Sequence, residues 1–149
     1  FKGENAVIVN AKDAGKFTSE DQLKKAKLGV QKGSTQETYV KDNIKVTNYK
    51  ALVAVPDLIA DMKNGNIDAV VLNSKVAGIN VTKYDGIKVV ENLKLTSGGD
   101  EEAMAVAIKK GDNADLIKLT NEVIKELQDS GEYDKILANA VDLVSKETK

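Results

Sequence analysis

The stretch that decides the fold is LGVQKGSTQE, residues 28–37, where a short apolar run gives way to a glycine and two hydroxyl residues. We predict a strand over residues 27–30, a turn at Gly33 and a helix that runs to about Asp42. Ser34 and Glu37 have the Ser-x-x-Glu spacing of a capping box, in which two side chains satisfy free backbone N–H groups at a helix start. The segment therefore predicts a strand–turn–helix unit.

The rest of the chain continues this alternation of strands and helices. Further strands are predicted over residues 6–9, 44–49, 67–72, 87–90 and 102–109. Further helices are predicted over residues 18–25, from Pro56 to Asn64, from Ser74 onward, and in two segments after Asp112 that divide at Gly131. Residues 67–72 are almost continuously apolar, as a parallel strand buried on both faces would be. This order predicts an α/β fold with a mainly parallel sheet flanked by helices.

The composition excludes several kinds of chemistry. The 149 residues include 22 Lys but no Arg, Cys, His or Trp. Thiolate and imidazole zinc sites are therefore excluded, as are Cys–His and Ser–His nucleophile pairs. The net charge is -1 and no basic stripe is present, so we expect no nucleic-acid partner. We expect no catalytic residue, no metal and no cofactor, and no apolar run approaches the length of a bilayer span.

The turn at residues 33–36 has two interpretations. Ser34 and Glu37 can simply cap the helix. The same helix start presents free N–H donors and a partial positive charge, which suits a carboxylate or a phosphate. In an open parallel sheet ligands bind at the carboxyl ends of the strands, where this turn is predicted to lie. Asn73 ends another predicted strand, and it can either face the same crevice or cap the helix that starts at Ser74.

Four segments in the same order resemble the extracellular solute-binding proteins of amino-acid ABC transporters, of the polar amino-acid type. Residues 30–37 look like the family's Gly-Ser/Thr-Thr-Gln-Glu turn, and residues 64–71 look like its Gly-x-x-Asp-Ala-Val-Val strand. Residues 103–112 resemble its returning strand, and residues 121–135 resemble its terminal helix pair. The resemblance covers most of residues 4–146.

The resemblance implies two α/β lobes joined by crossover strands, with the second lobe inserted in the first. Residues 1–10 would be a crossover strand from lobe 1. Residues 11–98 would be lobe 2, the ligand-binding half. Residues 99–149 would be the returning crossover strand and the terminal helices of an incomplete lobe 1. The missing part normally carries an aromatic cover and an Arg that grips the ligand α-carboxylate, so we expect the chain to be a carboxyl-terminal fragment.

The resemblance also assigns ligand-binding residues: Gln31, Gly33, Ser34, Thr35, Gln36 and Asn73. Ser34, Thr35 and Gln36 would bind the α-carboxylate through hydroxyl and backbone N–H groups, and Gln31 would approach the ligand side chain. The family normally has Asp where Asn73 stands, and this Asp pairs with the α-ammonium. Losing that charge implies binding weaker by about tenfold or more, or a ligand without a free α-ammonium.

The implied function is the substrate-binding component of an amino-acid ABC transporter. It would capture a polar amino acid, a glutamine-like one included, between two lobes and deliver it to a membrane permease. We expect it outside the cell, periplasmic or lipid-anchored at the outer face of the membrane. The alternatives are a sensory domain of the same fold and a dehydratase-type enzyme that uses acids such as Asp68, Asp100 and Glu101.

The terminal helices predict association between copies of this chain. Their apolar residues recur at helical spacing, and their natural cover would be the absent part of lobe 1. Exposed apolar stripes of this size usually find partners. The stripes consist of Leu116, Leu119, Val123, Leu127, Ile136 and Leu137.

Overall fold

The structure, a computed structural model, describes residues 4–93, 95 and 105–146. These residues fall into two compact units that divide near residue 103. Among the described residues, the first unit contains a sheet, four α-helices, a short 3-10 helix (Ala11–Asp13) and a π-helical turn, and the second contains two α-helices. Within the described part of the chain, no helix is both long and apolar enough to cross a membrane.

The first unit is built on a five-stranded sheet in the order β3-β2-β4-β1-β5. The pairs β2–β3 and β2–β4 are parallel, whereas β1 is antiparallel to both β4 and β5. Four strands therefore run in one direction and β1 alone runs against them. The strands are β1 (Asn5–Asn10), β2 (Leu28–Gln31), β3 (Lys50–Leu52), β4 (Ala69–Asn73) and β5 (Ile87–Val89). The α/β prediction is confirmed, with a mixed sheet.

Helices follow the strands as the sequence patterns predict. Pro56 lies in the first turn of its helix, where the missing N–H of proline removes no helical hydrogen bond. The predicted helix over residues 18–25 is confirmed as a shorter one that starts after Ser19. The helices of the first unit are α1 (Glu20–Leu23), α2 (Thr35–Tyr39), α3 (Val55–Lys63) and α4 (Ser74–Lys83).

Both faces of the sheet are covered by apolar side chains. Successive residues of a strand point to opposite faces, and β1 shows this directly. Val7 and Val9 belong to one buried cluster, together with Tyr39 of α2, whereas Ile8 belongs to a second cluster with Leu58 of α3. The almost continuously apolar strands therefore supply residues to two cores, one on each face.

The prediction of a strand over residues 44–49 is wrong. Residues 40–44 instead form a π-helical turn that extends α2, and β3 starts only at Lys50. Ile44 and Val46 are both buried in the same cluster. The alternation of apolar and polar residues here therefore comes from a reversal of the chain and not from a strand. Lys45 makes this reversal in the left-handed conformation, with φ of 63°.

The second unit consists of α5 (Ala114–Asp129) and α6 (Glu132–Lys146). Both predicted helices are confirmed, but Asn113 rather than Asp112 occupies the cap position of α5. Of the strand predicted over residues 102–109, residues 102–104 lie outside the described residues. Residues 105–109 pair with no described strand, and all but Ile108 are exposed. A strand forms only beside a neighbour that accepts its hydrogen bonds.

Candidate functional site

The candidate site lies at the carboxyl edge, meaning the edge of the sheet where β2, β3, β4 and β5 end. The turn of residues 31–36 follows β2 there, and Asn73 ends β4 beside it. Because β1 runs in the opposite direction, its first residue, Asn5, also lies at this edge and pairs with Asn73. The topology therefore brings three separate segments to one edge, which is one of the two interpretations that the sequence left open for Asn73.

Ser34 caps α2, as the capping-box spacing predicts. Its Oγ accepts a hydrogen bond from the backbone N–H of Glu37 at 3.1 Å and donates one to the carbonyl of Gln31 at 2.7 Å. A hydroxyl has a single hydrogen to donate. The Ser34 hydroxyl is therefore already used within the turn and has only acceptor capacity left for a ligand.

Glu37 completes the capping box through a different partner from the usual one. Its Oε2 accepts from the backbone N–H of Gly33 at 2.6 Å, one residue before the cap. Gly33 takes φ of 75°, a conformation that costs glycine little. The other oxygen of Glu37 accepts from the Tyr49 hydroxyl at 3.2 Å. Burial, and then the hydrogen bond to Glu37, raise the pKa of Tyr49, so its hydroxyl remains the donor.

Two backbone donors of the turn are left without a partner. Among the described residues, nothing accepts from the backbone N–H groups of Thr35 and Gln36. The exposed Thr35 hydroxyl is also unpaired within this part of the chain. Three donors thus remain at the start of a helix, where the partial positive charge favours an anion.

Gln36 and Gln31 hold the turn in place with their side chains. The Gln36 side chain is buried, and its Nε2 donates to Oδ1 of Asn5 at 2.9 Å. The exposed Gln31 side chain donates from Nε2 to the carbonyl of Val53 at 3.1 Å. The first bond ties the turn to β1 and the second ties it to the loop after β3. The sequence gives no signal for Asn5, which is a further polar residue of this edge.

Asn73 caps α4, as one of the two interpretations of its position predicts. Its Oδ1 accepts from the backbone N–H of Lys75 at 3.0 Å. An amide oxygen has two lone pairs, so one remains for a ligand donor. The structure therefore gives Asn73 a local structural role and leaves part of its side chain free at the carboxyl edge.

The acids considered for catalysis do not gather at this edge. Asp68 lies before β4, at the opposite edge of the sheet, and its Oδ2 accepts from the backbone N–H of Lys27 at 2.8 Å. Asp100 and Glu101 lie outside the described residues. Within the described segments, the turn after β2 and Asn73 thus present amide, hydroxyl and backbone groups, together with the Glu37 carboxylate that the turn itself uses.

The chain resembles several proteins that bind amino acids. It is 35% identical over 129 residues to a probable histidine-binding protein of Neisseria gonorrhoeae, which covers 83% of this chain and 46% of that protein. It is 28% identical over 125 residues to the L-cystine-binding protein TcyJ of Escherichia coli, covering 83% of this chain and 45% of that one. The chain spans about half the length of these relatives. A scan against protein-family models finds none that matches.

Solved structures of amino-acid-binding proteins are also similar to this chain. The amino-acid ABC transporter substrate-binding protein AbpA of Streptococcus pneumoniae, bound to L-arginine, aligns with a TM-score of 0.81 and 31% identity. The alignment covers 97% of this chain and 59% of that one. An ancestral amino-acid-binding protein described as a precursor of cyclohexadienyl dehydratase shares the fold at 23% identity and a TM-score of 0.75.

The chain is thus a homologue of the solute-binding proteins of amino-acid ABC transporters. The resemblance drawn from the four sequence segments is confirmed in sequence and in fold.

Proposed function

We propose that this chain is the ligand-binding half of an amino-acid ABC transporter's substrate-binding component. Residues 11–98 would form lobe 2, residues 1–10 a crossover strand, and residues 99–149 the part of lobe 1 that this chain contains. The complete protein would close on a polar amino acid at the outer face of the membrane and deliver it to the permease. Both the similarity to binding proteins and the polar carboxyl edge support this role.

The main support for this proposal is the set of unpaired hydrogen-bond donors at residues 35–36. The backbone N–H groups of Thr35 and Gln36 and the Thr35 hydroxyl would bind the α-carboxylate. Ser34 and Gly33 would shape the turn, since the Ser34 donor is taken by the Gln31 carbonyl. Asn73 would accept from the α-ammonium with its remaining lone pair, and Gln31 would lie near the ligand side chain.

The names of the relatives narrow the ligand class. They are proteins described as binding histidine, cystine or arginine. We propose a polar amino acid with hydrogen-bonding groups in its side chain, and a test panel of arginine, histidine and glutamine. Binding rather than catalysis fits the described carboxyl edge, because Asp68 lies at the opposite edge.

An NMR titration of the 149-residue chain with these amino acids tests the proposal. Saturable shifts are expected in the backbone amide signals of residues 33–36 and Asn73. Binding by this chain alone is expected to be weak, because the chain spans only about half of its relatives. NMR detects such weak binding through shifts in individual residues.

Two isosteric variants test whether the Thr35 hydroxyl contributes to binding in this titration. Thr35→Val removes the free hydroxyl and should weaken binding by about tenfold or more, as expected for one hydrogen bond to a charged group. Thr38→Val, at another exposed position of α2, is the matched control and should bind like the wild type. Shifts spread evenly over the chain, or absent for all three amino acids, would contradict the proposal.

A further inference from the structure

Two buried side-chain amides, those of Asn5 and Gln36, join separate segments of the candidate site. Asn5 is 7% exposed and Gln36 is 8% exposed. Gln36 Nε2 donates to Asn5 Oδ1 at 2.9 Å, across 31 positions of the chain. Asn5 is the first residue of β1, and Gln36 lies in the first turn of α2. The hydrogen bond therefore fastens the turn after β2 to a strand that runs in the opposite direction.

This amide pair is a costly way to fill the interior of the protein. Within the described part of the chain, nothing accepts from Asn5 Nδ2. A buried donor without a partner costs more than an ordinary hydrogen bond gains. Two apolar side chains of the same shape would fill this space without that cost. Stability alone therefore does not account for the pair, whereas a directional bond between the two segments does.

Asn5 connects the two groups that are proposed to bind the amino-acid head group. Its backbone lies opposite Asn73 in the antiparallel register of β1 and β4, and Asn73 is the proposed acceptor for the α-ammonium. Its side chain holds Gln36, whose unpaired backbone N–H is one of the proposed donors to the α-carboxylate. A single residue thus links the donors of the turn to the acceptor at the end of β4.

The buried bond holds the turn more firmly than the exposed bond made by Gln31. The Gln31 side chain donates from Nε2 to the carbonyl of Val53 at 3.1 Å, but this contact is exposed. Water competes for the same groups there, which reduces the net gain from the bond. The bond between Asn5 and Gln36 is shielded from water, where a hydrogen bond is electrostatically stronger. The buried pair is therefore the contact that fixes the orientation of the turn.

We propose that Asn5 is a positioning residue for amino-acid binding. It does not contact the ligand, because its side chain is buried, and it acts through Gln36. Its bond holds the backbone N–H groups of Thr35 and Gln36 in the binding orientation before the ligand arrives. A turn that is already ordered loses less conformational entropy on binding, so the affinity is higher. The inference rests on the proposed function and adds a residue that contributes to affinity without touching the ligand.

Three variants of the chain test this role in the NMR titration, with L-arginine, L-histidine and L-glutamine as the probes. Asn5→Leu and Gln36→Met each remove the bond and leave the other amide buried without its partner. Each should lower the urea midpoint and weaken binding by about two- to tenfold. The double variant removes both amides, so its urea midpoint should return close to that of the wild type. Its binding should remain as weak as that of the single variants, whereas a purely structural pair would recover binding together with stability.

NMR order parameters of the backbone amides give a second measurement, without ligand. The values for Thr35 and Gln36 should fall in the double variant, because the turn moves more freely on the picosecond to nanosecond timescale. Asn80→Leu is the matched control, since Asn80 is a buried asparagine that donates to the carbonyl of Val76 within α4. It removes a buried amide away from the turn and should bind like the wild type.

The outcomes separate the positioning role from the proposed function. If the wild type binds one of the three amino acids and the double variant binds it equally well, the positioning role is overturned while amino-acid binding stands. If the wild type gives no saturable shift with any of them, the proposed function fails and the positioning role fails with it. If the double variant does not fold, the comparison of Asn5→Leu with Asn80→Leu decides, and equal binding by these two would overturn the role.

Discussion

Replacing Gly29 by alanine tests how closely α3 and the segment before β4 pack on β2. Gly29 lies within β2, and a Cβ atom built on it would be 2.5 Å from Ile67 Cδ1 and 3.0 Å from Leu58 Cδ2. Carbon atoms in contact prefer separations of about 3.5–4.0 Å. Ile67 is 3% exposed and Leu58 is fully buried. The new methyl group therefore enters a space that is already filled.

The expected loss of stability follows from two opposing terms. Inserting a methyl group into a packed core costs about 1–3 kcal/mol. Alanine also reduces the freedom of the unfolded chain, which returns about 0.4–1 kcal/mol. Taking the middle of each range, the net result for Gly29→Ala is a free energy of unfolding lower by about 1.3 kcal/mol.

Urea unfolding followed by circular dichroism measures this change as a lower midpoint with an unchanged slope. Gly78→Ala in α4 is the control, because no atom lies within 4 Å of its new Cβ. It should raise stability by about 0.5–1 kcal/mol. Ile67→Val deletes Cδ1, the atom nearest to the new methyl group. Ile67→Val should therefore lower the free energy of unfolding less in the Gly29→Ala background than in the wild type. A Gly29→Ala midpoint at or above that of the wild type would refute the packing argument.

Three further changes test other parts of the structure. Ser34→Ala should lower the free energy of unfolding by about 1 kcal/mol in urea titrations, because the cap of α2 is lost; an unchanged midpoint would contradict the capping role. Hydrogen bonds from Lys50 and Asn66 hold the pKa of Asp61 below its ordinary value. Their stabilising effect is present at neutral pH and is lost as the pH falls through that lowered pKa. Asp61→Asn should therefore make the urea midpoint depend less on pH in the acid range. A pH profile identical to that of the wild type would show that the Asp61 carboxylate does not cause this dependence. Leu119 is 58% exposed, and Leu119→Glu should reduce the concentration-dependent association that we predict in sedimentation; a monomeric wild type would refute that prediction.

The prediction of association rests on how little the second unit buries. No residue of α5 is buried, and the exposed side chains of α5 and α6 include many large apolar ones. Helices of this length are marginal in water without packing partners. The exposed apolar residues include Leu116, Ile117, Leu119, Val123, Ile124, Ile136, Leu143 and Val144.

Local patterns were sufficient to predict most elements of the fold. The apolar run of residues 67–72 predicted β4 because a strand buried on both faces needs apolar residues at every position. The Ser34–Glu37 spacing predicted the start of α2 because capping involves only neighbours in the chain. Local patterns failed at residues 44–49, where burial of Ile44 and Val46 against distant residues produced an alternation that resembles a strand.

The candidate site was only partly visible in the sequence. Ser34 and Thr35 were predicted to lie at the carboxyl end of their strand, and they do. For Asn73 the sequence left two interpretations open, and in the structure it caps α4 at the end of the neighbouring parallel strand. Asn5 was not predicted, because its place depends on β1 running against its neighbours. The use of the Ser34 hydroxyl within its own turn was also not apparent from residue spacing.

By itself, the sequence determined the strand–turn–helix units, the covered sheet and the lack of any guanidinium or imidazole group. Only the tertiary structure decided that β1 lies between β4 and β5, and that Gln36 bonds Asn5 across 31 positions of the chain. The physical reason is the range of the interactions. Caps and turns are satisfied within a few residues, whereas strand order and a buried amide pair depend on how both faces of the sheet pack.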